Sequence, residues 1–269
     1  MKVTISENSV PDEISHTDIH TLLSRIYSAA SAKGYRILTI GRVDGIPIWI
    51  LLPPFFDPSK PNLLILAGTH GEEPASCFSI MQVLETTPRE VITQCNVSFI
   101  PIFNPSGIAR GTRRNIFNEN PNLGWIHPEE EDTEPISVEA KFLLRHLPLV
   151  NYLCKDGFLT MHEDVYEDKF FMYCYEEGKV ASEKTHSISE AGQRHFPADT
   201  EDYDPDSKAS TNGITFNQCD GSLDDFLYHE GSKYSICTET PGKEDFDKRV
   251  ACGVDIIETF IVESVLSNL

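Results

Sequence analysis

Positive charge is what this sequence has least of. Lys and Arg number 22 against 42 Asp and Glu, which leaves a formal net charge of −20. Binding to a phosphate backbone needs clustered basic side chains, so this balance excludes nucleic acid as a partner. Acidity on this scale serves solubility and says little about fold. No apolar run approaches the length of a membrane span, and the opening MKVTISENSVPDE turns polar and acidic without the apolar stretch of a secretory signal. The seven cysteines stand singly at 77, 95, 154, 174, 219, 237 and 252. Their number is odd and no CxxC pair occurs, which excludes a zinc knuckle or a dithiol redox motif. Reduced thiols in a cytoplasmic protein, with no membrane partner, are the expectation. Internal repeats and low-complexity linkers are also lacking. The expectation is therefore a single domain, 1–269, with residues 1–55 as an N-terminal helix and hairpin extension of it.

The 40% hydrophobic content is ample for a core. Helical spacing runs over 17–33, where Ile19, Leu22, Leu23 and Ile26 share a face and Gly34 offers a stop. Strand-like runs at 35–42 and 47–52 flank Asp44-Gly45, a hairpin signal. Further strands are predicted at 62–67, 97–103, 158–164, 169–175 and 233–239. Helices are predicted near 73–85, 138–146, 178–195, 222–230 and 244–266. The Gly, Pro and Asn load of 104–135 predicts a long loop, and 198–210 an acidic one. Strands alternating with helices predict an α/β fold with a mixed, largely parallel central sheet flanked by helices on both faces.

Three distant segments share one pattern, an apolar strand ending in a residue that can do chemistry. In NLLILAGTHGEEP the buried run Leu63–Ala67 is broken by Gly68, and His70 and Glu73 follow three residues apart. That spacing lets an imidazole at a strand end and a carboxylate in a first helical turn converge on one cation, at the strand ends where α/β sheets bind ligands. GFLTMHED contributes His162 and YSICTETPG contributes Glu239. Two histidines and a carboxylate are the usual ligands of a catalytic zinc, leaving a position for water. A second carboxylate outside the ligand set is what such a site needs as general base. Arg110, Arg113 and Arg114 gather three scarce cations within five positions.

The order HxxE, distant His, then late Glu resembles the zinc metallocarboxypeptidase family, including its succinylglutamate desuccinylase and aspartoacylase-like deacylases. NPSG at 104–107 is similar to the family's NP-x-G stretch, and RRNIFNENPNLGW at 113–125 to its RRN…DLNR-x-F/W segment. The matches span about 62–240. The resemblance implies a zinc carboxypeptidase-like fold and one Zn2+ held by His70, Glu73 and His162. It implies Glu239 as general base and Arg113 or Arg114 as the group that polarises the scissile carbonyl. Asn122 matches the asparagine that helps hold a substrate's terminal carboxylate. At the next position the family's arginine clamp is replaced by Leu123, which cannot make a bidentate bond to a carboxylate; Arg110 or the spare member of the 113–114 pair is a substitute.

The implied activity is a zinc-dependent, carboxypeptidase-like hydrolysis of amide or peptide bonds, on a small peptide or N-acyl amino acid. Leu123 favours a second reading, a deacylase or amidase acting on a small N-acyl amino acid or a cell-wall-type peptide. A non-catalytic metal-binding protein is the third, and the presence of Glu239 counts against it. Glu72 is expected to face solvent. Glu163 and Asp164 are either partners of a ligating histidine or solvated acids. Trp125 and Tyr173 are expected in the core, and His127, His186, His195 and His229 have no partner at ligand spacing.

Overall fold

A computed structural model describes residues 18–125, 134–179, 181–199, 212–216 and 220–267. Most of the acidic loop expected at 198–210, and His127, lie outside these residues. Along the described chain run α1 (Ile19–Ala32), β1 (Arg36–Val43), β2 (Ile46–Leu52), β3 (Asn62–Ala67), α2 (Ala75–Thr86), α3 (Arg89–Ile92) and β4 (Asn96–Ile100). Next come α4 (Pro105–Ile108), α5 (Val138–Leu144), α6 (Leu147–Leu153), β5 (Gly157–Asp164) and β6 (Phe171–Tyr175). The remainder is α7 (Glu183–Gln193), β7 (Ile214–Phe216), α8 (Leu223–His229), β8 (Ser235–Pro241) and α9 (Phe246–Leu266).

The strands form one mixed sheet in the order β1-β2-β4-β3-β5-β8-β6-β7. Its centre, β4-β3-β5-β8, is parallel throughout. The β1–β2 hairpin joins one edge antiparallel, and β6 joins the other antiparallel to β8. Period-two alternation splits the strand side chains between two cores. Leu63, Ile65, Ala67, Leu159, Met161 and Ile236 pack on the side covered by α1, α2, α7 and α9. Leu64, Leu66 and Phe158 pack on the other, under α5, α6 and α8. Burial on both faces explains why β3 is an apolar run and not an alternating pattern, while β4 buries Asn96 and Ser98 along with its apolar residues.

The elements depart from the sequence expectation at three places that bear on the site. Residues expected as one helix, 138–146, form α5 only to Leu144, and α6 then starts at Leu147. Pro148 lacks an N–H and its ring would crowd the carbonyl of Leu144, so the first helix cannot run through. The stretch 104–135 contains α4, whose N-terminal N–H of Gly107 is capped by the side chain of Asn104. Finally, β8 extends to Pro241 because Thr240 and Pro241 remain in register with Glu163 and Asp164.

Candidate active site

The carboxyl ends of β3, β5 and β8 lie side by side, and each delivers one element of the site. After β3 the chain turns at Gly68, whose positive φ of +68° admits glycine easily; a Cβ there would also lie 2.6 Å from the Cys77 sulfur. At Gly71 the backbone meets that of Gly107 so closely that a Cβ would sit 1.9 Å from its carbonyl carbon. The HGEE and NPSG loops are therefore pressed together, which accounts for Gly71, while a Cβ at Gly107 would collide with the side chain of Asn104. Asn104 fastens them. Its Oδ1 accepts from Gly107 N, while its Nδ2 donates to Thr69 O at 3.2 Å and Arg113 O at 3.3 Å.

His70, Glu73 and His162 are buried together, and one ligand atom from each lies within 4.8 Å of the others. His70 Nδ1 is 2.6 Å from Glu73 Oε1, and His162 Nδ1 is 2.8 Å from Glu73 Oε2. The same nitrogen of both rings thus faces the carboxylate. On the far side of its ring, His70 Nε2 is 3.1 Å from Asn120 Oδ1. An amide oxygen only accepts, so Nε2 carries the proton and the Nδ1 lone pair is directed into the cluster. His162 Nε2 is buried with no hydrogen-bond partner among the described residues.

The electrostatics fit a cluster built for a cation. Burial opposes ionisation of Glu73, yet the two imidazoles beside it win and hold its carboxyl far below the ordinary value. Burial likewise opposes a charged ring at His162, but Glu73, with Glu239 and Asp224 behind it, raises the imidazole to about 9. At His70 burial prevails and the imidazole stays below its usual value, despite Glu73. A divalent ion taking two Nδ1 atoms and a carboxylate oxygen matches this donor set.

Glu239 stands in register with His162 on the neighbouring strand and opposite Phe171 on β6. It is half-buried. Burial raises its carboxyl to about 8; His162 and Arg113 work against this, and Glu73 and Asp164 reinforce it. The two arginines left open by the sequence are separated by the structure. Arg113 Nη1 reaches Glu73 Oε1 at 3.2 Å and Glu72 Oε1 at 3.5 Å. Arg114 turns away into a bidentate pair with Glu134, at 2.8 and 2.5 Å. Among the described residues Arg110 makes no ion pair and is exposed. Glu72 is thus not simply solvent-facing, since it shares Arg113 with Glu73.

Asn122 is half-buried in the loop that leads to Trp125. Asn122 Oδ1 accepts from Leu223 N at 3.4 Å, tying this loop to the start of α8. Trp125 is core, packed between Phe103 and Phe226. Of the remaining histidines, His195 pairs with Asp255 and His229 with Asp225, both remote from the metal cluster in sequence and partners.

Two contributors, Asn120 and Asp224, escape the sequence reading, and for a third, Glu163, it leaves open a partner of the metal cluster or a solvated acid. Asn120 was indistinguishable from its Asn-rich surroundings. Glu163 is not a solvated acid: it forms a buried ion pair with Arg249, accepts from Ala75 N at 2.6 Å, and its N–H donates to Glu73 Oε2 at 3.3 Å. It thereby locks β5 to the first turn of α2 beside Glu73. Asp224 is buried, and its Oδ1 has no partner among the described residues. Burial raises its carboxyl to about 7, with Asp220 adding and His162 opposing.

No family model and no curated protein matches the sequence. Among solved structures the chain is similar to a candidate metallopeptidase from Shewanella denitrificans OS217, with 31% identity, a TM-score of 0.85 and coverage of 92% of this chain and 91% of that one. A candidate metallopeptidase from Shewanella amazonensis SB2B gives 32% identity and a TM-score of 0.85 over 91% of this chain and 93% of that one. The chain belongs to the same metallopeptidase family as these two proteins. A metallo-carboxypeptidase from Burkholderia cenocepacia shares its fold at 18% identity, with a TM-score of 0.66 over 92% of this chain and 69% of that one. For this metallopeptidase-family chain, the relatives and the His–Glu–His cluster together support a metal-binding hydrolase.

Proposed function

We propose that the protein is a zinc-dependent hydrolase of amide or peptide bonds, with His70, Glu73 and His162 holding one ion. The observation that carries this reading is the convergence of two Nδ1 atoms and a buried carboxylate, with Glu239 in register beside them. When bound, the ion supplies Lewis-acid polarisation, brings a water's pKa towards ~7, and adds the positive charge that returns Glu239 to its ionised form. Glu239 takes a proton from the attacking water as the new C–O bond forms. It delivers that proton to the amide nitrogen as the C–N bond breaks, releasing an acid and an amine. Arg113 donates to the carbonyl oxygen, where negative charge grows during attack. Asn120 and the Glu163–Arg249 pair orient His70 and Glu73 and touch no reacting atom.

Two observations favour a substrate other than an ordinary peptide C-terminus. Leu123 removes the guanidinium clamp, and Asn122 is engaged with the backbone of α8. A deacylase or amidase acting on an N-acyl amino acid or an unusual short peptide has less need of that clamp. A hydrolysis screen over peptides with free and amidated C-termini and over N-acyl amino acids separates the readings. Cleavage that requires a free C-terminal carboxylate supports the carboxypeptidase, and indifference to it supports the deacylase or amidase.

A further inference from the structure

A second site lies at the opposite end of the central strands. A partly open cavity of about 180 Å3 lies beside Lys60 and Asn96, at the amino ends of β3 and β4. The metal cluster follows their carboxyl ends, roughly 20 Å away at ~3.3 Å per strand residue. The cavity adjoins a shallower groove of about 630 Å3 between α1 and the end of α2, and Lys33 and Arg89 line both.

Its chemistry runs against that of the whole chain. In a protein with 42 acidic and 22 basic residues, three of the residues that line this cavity are cationic, Lys33, Lys60 and Arg89. Lys33 Nζ donates to Thr87 O at 2.7 Å, and Lys60 Nζ to Thr93 O at 2.6 Å. Each ammonium has three N–H groups, so these bonds anchor the amines and leave further donors. Among the described residues Arg89 makes no ion pair. The single acid of the lining, Asp57, accepts from both Ser59 N and Ser59 Oγ, and its other oxygen is 3.9 Å from Lys60.

The walls are apolar. Tyr35 and Pro54 contribute buried and half-buried surface, and Phe55 stands at the mouth with 81% of its surface exposed. An apolar cavity with a few convergent polar groups is the usual form of a small-molecule site. A bare inorganic anion would leave these walls uncovered, and a neutral hydrocarbon would leave three cations without a counter-charge.

We infer that this cavity binds a small amphipathic carboxylate, its aromatic or branched apolar body against Tyr35, Pro54 and Phe55 and its carboxylate among Lys33, Lys60 and Arg89. The site is independent of the hydrolytic reading, since none of these residues belongs to the metal cluster.

Isothermal titration of the whole protein with benzoate, benzyl alcohol and inorganic phosphate tests the inference. Arg89→Glu and Phe55→Ala change exposed side chains, so both variants should fold. Saturable benzoate binding is expected, at least about tenfold tighter than that of benzyl alcohol or phosphate. Each variant should weaken it by at least about tenfold while leaving hydrolysis unchanged. Absence of saturable benzoate binding, equal binding of phosphate, or benzoate binding that both variants leave intact would overturn the inference. The last result would place the carboxylate elsewhere, the metal cluster included.

Discussion

His162 and Glu239 are direct cross-strand neighbours, paired in register where β5 and β8 run parallel out of the sheet. One is a member of the His–Glu–His cluster and the other stands just outside it. Their side chains lie on the same face as Phe158, the face covered by α5, α6 and α8, because His162 is four residues from Phe158 and Glu239 four from Ser235, the register partner of Phe158. The pairing fixes a proton acceptor beside a cation site through backbone geometry alone.

Glu239→Gln should retain metal, because the residue lies outside the proposed ligand set, and should lose about 10²–10⁴-fold in kcat, the usual contribution of a general base. Kinetics together with elemental analysis of the purified variant check this. Activity close to wild type would remove Glu239 from the mechanism.

Metal binding should release protons. The folded-state pKa of His162 is raised from 6.5 to about 9 by Glu73. In metal-free protein the stabilisation from this pair is therefore fully present below about pH 6.5 and is lost as pH rises through about 9. A metal ion must displace that proton, so apparent affinity should climb about tenfold per pH unit through neutrality and level off above about 9. Titration calorimetry in buffers of different ionisation enthalpy measures the released proton; pH-independent affinity would contradict the assignment of His162.

The two neighbouring arginines should behave differently. Arg113→Ala removes the guanidinium that faces Glu73 and is expected to lower kcat about 10²–10³-fold. Arg114→Ala breaks a partly exposed pair with Glu134 and should change stability by no more than about 1 kcal/mol, leaving kcat in place. Parallel assays of the two variants decide which arginine serves the reaction.

Asn120→Ala should weaken metal binding about 10–100-fold, because the proton on His70 Nε2 loses its acceptor and the ring its fixed orientation. Competition against a chelator of known affinity reads this directly. Asn120→Asp, which keeps an acceptor oxygen at the same place, should restore most of the loss.

Much of this was legible in the sequence, for reasons that differ by residue. Leu63–Ala67 announced a strand buried on both faces, and Gly68 announced its end. His70 and Glu73 were readable as a pair because local spacing alone brings them together. The choice between Arg113 and Arg114 was not readable, since adjacent loop side chains diverge and their partners, Glu73 and Glu134, lie 40 and 20 residues away. Asn120 and Arg249 were hidden for a related reason: their partners, His70 and Glu163, lie 50 and 86 residues away. Asn122 shows what motif matching leaves out, because its residue type fits a substrate contact while its Oδ1 also accepts from Leu223 N, 101 residues away.

The most direct measurement is hydrolysis across a panel of short peptides and N-acyl amino acids before chelation, after it, and after zinc is restored. The account predicts cleavage of an amide bond that chelation abolishes and a single equivalent of zinc per chain restores in wild type but not in His162→Ala. Amide hydrolysis that persists in metal-free protein, or that zinc restores equally in His162→Ala, would contradict it.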